Sequence, residues 1–111
     1  MDDCIIIGAG PAGLTAAIYL ARFHLSIRLF DSGSSRAAMI PCTHNHAGYP
    51  EGIAGKALLG LMLAQAEKYG AHREEKKVTA ITPDGENFEV VTDHGRYRAR
   101  TVLLALSLIH I

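Results

Sequence analysis

Apolar positions fall into three patterns along this chain, and each pattern predicts a different element. Residues 4–7, Cys-Ile-Ile-Ile, are continuously apolar. A run that short and without alternation reads as a strand buried on both faces. In residues 11–23, alanines at 12, 16, 17 and 21 stand among larger apolar side chains, which predicts a helix lying close to a sheet. His24 then occupies the place where a left-handed glycine usually ends a helix. Residues 26–30 read as a second strand, ended by Asp31. Helical spacing returns at residues 55–69, with Leu58, Leu59, Met62, Ala66 and Tyr69 as the expected core face and Gly70 as the stop. Leu61 and Leu63 make that helix apolar on more than one side, which fits deep burial or a further partner surface.

From residue 71 onward the pattern is that of strands. Residues 72–81 hold one or two, with alternation at Val78-Thr79-Ala80-Ile81. Pro83-Asp84-Gly85 reads as a turn. Residues 87–92 and 96–99 flank Asp93-His94-Gly95, a hairpin signal, and residues 101–105 form another apolar strand. Residues 32–54 carry no periodicity, and a loop that long inside a compact domain is usually functional. The order is therefore β-α-β, a loop, α, β and a β-meander. That order predicts an α/β fold opening with a parallel unit.

The link between the first strand and the first helix carries the chemistry. Gly8, Gly10 and Gly13 are spaced G-x-G-x-x-G. Gly8 suits the tight turn, Gly10 lets a pyrophosphate approach the backbone, and Gly13 lets the helix lie against the strand. Pro11 suits the first helical turn, where its missing N–H costs nothing. The free N–H groups and positive end of that helix face the phosphates. Asp31 lies 18 residues beyond Gly13. A carboxylate there accepts hydrogen bonds from ribose hydroxyls and repels a 2′-phosphate, so the expected ligand is an adenosine of the FAD or NAD kind rather than NADP.

Composition narrows the picture further. The chain has 111 residues, one domain at most, and 49% hydrophobic content supports a packed core. Eleven basic and eleven acidic residues cancel, which argues against nucleic acid or an anionic membrane as a partner held by bulk charge. The N-terminal stretch lacks a basic leader, and no apolar run approaches the ~20 residues of a membrane span. A cytoplasmic location is the expectation. Cys4 and Cys42 form no C-x-x-C motif. Cys4 reads as core filling, and Cys42 has no resolving partner in the chain. His44-Asn45-His46 lacks the carboxylates or thiolates of a metal site, so no metal is expected. Arg73, Lys76 and Lys77, interleaved with Glu74 and Glu75, read as a solvated strand edge.

With these pieces in place, the chain resembles the FAD domain of thioredoxin-reductase-like flavoproteins. The most specific match is Asn45-His46-Ala47-Gly48-Tyr49-Pro50-Glu51-Gly52-Ile53 through Gln65-Ala66-Glu67-Lys68-Tyr69-Gly70-Ala71. It is similar to that family's N-x-P-G-F-P-x-G-I-x-G…Q-A-x-x-x-G-A signature. Val102-Leu103-Leu104-Ala105 looks like the strand that runs into the family's A-T-G turn. The resemblance implies a Rossmann-like FAD-binding domain, incomplete here, with a parallel sheet and a β-meander. It implies that Gly8, Gly10, Pro11, Ala12 and Gly13 hold the FAD pyrophosphate and that Asp31 holds the adenosine ribose. It further implies that Arg36 contacts the ribityl or phosphate region, that Asn45 contacts the flavin, and that the backbone of Val78 meets the adenine. Ser34-Ser35-Arg36 stands where the family often has G-G-Q.

The implied reaction carries electrons from NAD(P)H through FAD to a disulfide, in a protein that is an expected homodimer. No catalytic residue is expected in this chain. Two alternatives stand beside this reading. One is a ferredoxin- or other-acceptor reductase without a cysteine pair. The other is a non-catalytic module that binds an adenine dinucleotide. Residues 106–111, Leu-Ser-Leu-Ile-His-Ile, depart from the family pattern. They match the translation of a transposon-end sequencing adapter, CTGTCTCTTATACACATC. The expected organisation is thus an FAD-binding fragment over residues 1–105 and a non-native tail over 106–111.

Overall fold

A computed structural model describes residues 1–32, 48 and 51–106. Eight elements follow in order: β1 (Asp2–Ile7), α1 (Pro11–Arg22), β2 (Ile27–Asp31), α2 (Gly55–Lys68), β3 (Arg73–Glu75), β4 (Val78–Asp84), β5 (Asn87–Thr92) and β6 (Gly95–Leu104). The strands form one six-stranded sheet in the order β3-β2-β1-β6-β5-β4. The pairs β3·β2, β2·β1 and β1·β6 are parallel, while β6·β5 and β5·β4 are antiparallel. This is the α/β arrangement expected from the sequence, a parallel sheet continued by a meander.

β6 joins the two halves. Its first residues pair with β5, as in Tyr97 with Val90, and its last pair with β1, as in Leu103 with Ile6. The two separate strands expected over residues 96–99 and 101–105 are therefore one. Arg100 between them is exposed and interrupts only the apolar pattern, not the backbone. Pro83 and Asp84, expected in a turn, belong to β4, and the turn is Gly85-Glu86. β4 is the outermost strand of the meander, where a residue without an N–H is tolerated.

β3 and β4 occupy opposite edges of the sheet, yet only Lys76 and Lys77 separate them in sequence. From Glu75 to Val78 the chain can span no more than about 11 Å. The sheet must therefore curl until its edges meet, which brings the meander over one face. Ile5, Ile7 and Phe30 are buried there with Val90 and Ala99. On the other face Cys4, Ile6 and Leu29 pack with Leu14, Ala17, Ile18 and Ala21 of α1 and Leu58, Met62 and Ala66 of α2. β1 is thus buried on both faces, which is why it shows no alternation. Tyr69, expected in the core, is 40% exposed, with the Arg22 guanidinium 5.9 Å from its ring. Leu61 is 54% exposed and lines a groove between α1 and α2.

Both helices close with the same six-residue motif. In α2 the N–H of Gly70 bonds the carbonyl of Glu67, and that of Ala71 bonds Ala66. In α1 the N–H of His24 bonds Ala21, and that of Leu25 bonds Leu20. His24 holds φ at +63° to do this, a conformation that costs a residue with a Cβ more than it costs glycine. His24→Gly is therefore expected to stabilise the chain by about 0.5–1 kcal/mol, raising Tm by roughly 2–5 °C in a thermal melt followed by circular dichroism.

Candidate functional site

β1 ends at Ile7 and the chain turns sharply at Gly8, whose φ is +107°. The Gly8 N–H still bonds the Phe30 carbonyl at 2.8 Å, and the Ala105 N–H bonds the Ile7 carbonyl at 2.8 Å. The turn is thus tied on both sides to neighbouring strands. A Cβ on Gly8 would fall 2.6 Å from the Ala105 oxygen. A Cβ on Gly13 would fall 1.8 Å from the Gly8 oxygen, so the helix crosses the turn with no room for a side chain. Gly10 is the N-cap of α1 and Pro11 its first residue. No side chain caps this end, and no acid stands in the first turn. Its leading N–H groups and the positive end of the helix dipole are therefore available to an anion.

Beside this turn, at the carboxyl ends of β1 and β2, lies a cleft of about 420 Å³. Ile7, Gly8, Phe30, Asp31 and Ser32 form one wall, Lys76 through Ile81 another, and Leu104 and Leu106 close the third side. The lining is mostly apolar, with a carboxylate at one edge. That combination suits a flat heteroaromatic base and its sugar. The structure thus brings three expected site residues, Gly8, Asp31 and Val78, to one cleft. It places Gly10, Pro11, Ala12 and Gly13 at the helix start that follows Gly8 in the chain. Arg36 and Asn45, together with Cys42, His44 and His46, lie outside the described residues. So do residues 107–111 of the expected tail, whereas Leu106 is on the cleft wall.

Asp31 is buried, and its Oδ2 accepts hydrogen bonds from Arg73 Nε at 3.0 Å and Nη2 at 2.7 Å. Its carbonyl accepts the N–H of Lys76 at 2.9 Å. Lys76 in turn donates to Glu74 Oε1 at 2.8 Å and to the Tyr97 hydroxyl. Its ammonium stands 4.7 Å from the Tyr97 ring centre and 5.7 Å from that of Phe30. The hydrogen bond to Glu74, then that to Tyr97, holds Lys76 above its ordinary pKa, so it carries a full positive charge at neutral pH. Arg28 covers the Tyr97 ring at 4.9 Å and bonds Asp2 and Glu74. Phe30, which lines the cleft, is thus backed by Tyr97, ring centres 4.9 Å apart, with the cations Lys76 and Arg28 against the pair.

The expectation of a solvated basic edge at Arg73, Lys76 and Lys77 holds for the edge position of β3 and is corrected at Lys76. Lys77 and Arg73 are exposed, but Arg73 is paired with Asp31, and the half-buried Lys76 lines the cleft and is paired with Glu74. Sequence spacing does not reveal this, because Arg73 meets a residue 42 positions earlier through a parallel pairing. Among the described residues no group of histidine, cysteine, aspartate and glutamate side chains is arranged to hold a metal ion. No helix among them is long and apolar enough to cross a membrane.

Comparison with known proteins gives a consistent result. Residues 2–106 match the family described as pyridine nucleotide-disulphide oxidoreductase. The chain is 39% identical over 108 residues to a thioredoxin reductase of Mycolicibacterium smegmatis, covering 96% of this chain and 35% of that protein. It is 38% identical over 109 residues to a bifunctional thioredoxin reductase/thioredoxin of Mycobacterium leprae, covering 96% of this chain and 24% of that protein. Among solved structures, it superposes on an atypical thioredoxin reductase from Desulfovibrio vulgaris Hildenborough with a TM-score of 0.90 and 31% identity. That match covers 97% of this chain and 36% of the other. The chain thus spans about a third or less of the length of these relatives.

Proposed function

Because the chain belongs to the pyridine nucleotide-disulphide oxidoreductase family, we propose that it is the FAD-binding part of a thioredoxin-reductase-like flavoprotein. The observation that carries this reading is the cleft where Gly8, Asp31 and Val78 meet, next to an uncapped helix start. In the proposal the adenine enters between Val78 and the apolar wall of Ile7 and Leu104. The ribose hydroxyls bond the Asp31 carboxylate. The pyrophosphate lies on the backbone of Gly8, Gly10, Pro11, Ala12 and Gly13, where the helix dipole stabilises its charge. Arg36 and Asn45 extend the site toward the flavin. Bound FAD supplies electron transfer between a nicotinamide nucleotide and a disulfide. The chain's own residues bind and orient it, and none of them is assigned a catalytic role.

The whole protein in this proposal takes electrons from NAD(P)H and passes them to a disulfide protein. The names of the similar proteins support a disulfide acceptor over ferredoxin or a purely binding module. A homodimer in the cytoplasm completes the proposal, and the exposed Leu61 on α2 is the feature that supports the dimer. Residues 1–105 are assigned to the FAD-binding part and 106–111 to a non-native tail.

The test is to recover the source gene past the codon for Ala105, express it in full and assay it. The expected product is yellow, continues with Thr-Gly after Ala105, and reduces a disulfide with NAD(P)H. A colourless product, or a flavoprotein that oxidises NAD(P)H but leaves disulfides intact, contradicts the assignment.

A further inference from the structure

We propose that Arg73 is a positioning residue for the ribose, acting through Asp31. The inference rests on the adenosine reading of the cleft and adds to it a residue from a different strand. β2 and β3 run parallel with Leu29 opposite Arg73 and Asp31 opposite Glu75. Alternate residues of a strand share a face, so Leu29, Asp31 and Arg73 all project to the same side of the sheet. Arg73 then reaches forward along the sheet by one alternate position to meet Asp31.

The geometry is specific. Nε and Nη2 of Arg73 both converge on Oδ2 of Asp31, at 3.0 and 2.7 Å. The Asp31 side chain is 7% exposed and that of Arg73 31%. A buried carboxylate held by two charge-assisted bonds from a planar donor loses its freedom to rotate about χ2. The backbone is fixed as well, because the N–H of Lys76 bonds the Asp31 carbonyl from the same edge. β3, only three residues long, and the residue that follows it thus hold Asp31 by side chain and main chain respectively. Hydroxyl recognition is strongly directional, so a pinned carboxylate binds a ribose better than one that must be ordered at each encounter. A lysine at this position offers a point charge without the fork and does not reproduce the arrangement.

The test compares ADP with 2′,3′-dideoxy-ADP by calorimetric titration into the full 111-residue chain, as wild type, Arg73→Met and Arg73→Lys. Melting temperature is followed in parallel. The wild type is expected to prefer ADP. In Arg73→Met the affinity for ADP falls about tenfold while that for dideoxy-ADP stays level, so the preference collapses. Arg73→Lys recovers only part of it, and carries the comparison alone if the methionine variant does not fold. An unchanged preference in the variants, including one where both nucleotides weaken equally, overturns the positioning role. A wild-type chain that binds neither nucleotide, or binds both alike, overturns the adenosine reading itself.

Discussion

Gly13→Ala is expected to unfold the chain or nearly so. The new methyl carbon would lie 1.8 Å from the Gly8 carbonyl oxygen, and the neighbour that must yield is backbone rather than a side chain tip. Gly8 has little freedom to retreat, since its N–H is bonded to Phe30 and the adjacent Ile7 carbonyl is bonded to Ala105. Relief therefore requires α1 to lift from β1, which opens the layer formed by Leu14, Ala17 and Ile18 against Ile6 and Leu29. Overpacking with side-chain relief costs about 1–3 kcal/mol, so a rigid clash is expected to cost at least about 3 kcal/mol. That is a large share of the ~5–15 kcal/mol available to a domain. Gly60→Ala is the matched control. Gly60 lies mid-helix in α2 with nothing within 4 Å of the added carbon, and the same change there is expected to stabilise by about 0.5–1 kcal/mol. Urea denaturation of the two variants reads the contrast directly. Equal stabilities would contradict the close helix–turn crossing.

Asp31→Ala is expected to weaken ADP and FAD binding about 100-fold while leaving the fold intact. The substitution removes an acceptor for ribose hydroxyls, and bonds to a charged group are worth about 1.5–3 kcal/mol each. It also releases Arg73, whose two donors currently converge on Asp31. The guanidinium is partly exposed, so water solvates it and the stability loss stays small. A free guanidinium at the ribose edge attracts a 2′-phosphate. The preference is therefore expected to invert. Wild type binds 5′-ADP over 2′,5′-ADP, whereas the variant binds 2′,5′-ADP over 5′-ADP. Competition titrations check this. A variant that loses both nucleotides equally would show that Asp31 shapes the cleft rather than reading the ribose.

The parts of this molecule that were legible in its sequence are those set by neighbours along the chain. The strand at residues 4–7, the turn glycines and the helix beginning at Pro11 follow from local sterics. So does the left-handed cap at His24, which the structure realises at φ +63°. What the sequence concealed depends on contacts between distant segments. Arg73 and Lys76 carry the composition of a solvated edge, and their bonds to Asp31 and to Glu74 and Tyr97 follow only from β3 pairing with β2 and from the curl of the sheet. Pro83 looks like a turn former because local chemistry does not disclose that its strand lies at an edge. Tyr69 satisfies the helical period of the core face, yet the packed layer ends one turn earlier, at Ala66. The continuity of β6 was hidden by Arg100, a charged residue between two apolar runs in a single extended backbone.

The most direct test of the account is a calorimetric titration of ADP into the chain, repeated in the presence of saturating FAD. One ADP site per chain is expected, abolished by FAD, because both adenosines enter the cleft between Asp31 and Val78. ADP binding that persists unchanged beside bound FAD, or FAD binding to a chain that ignores ADP, would place the cofactor elsewhere and contradict it.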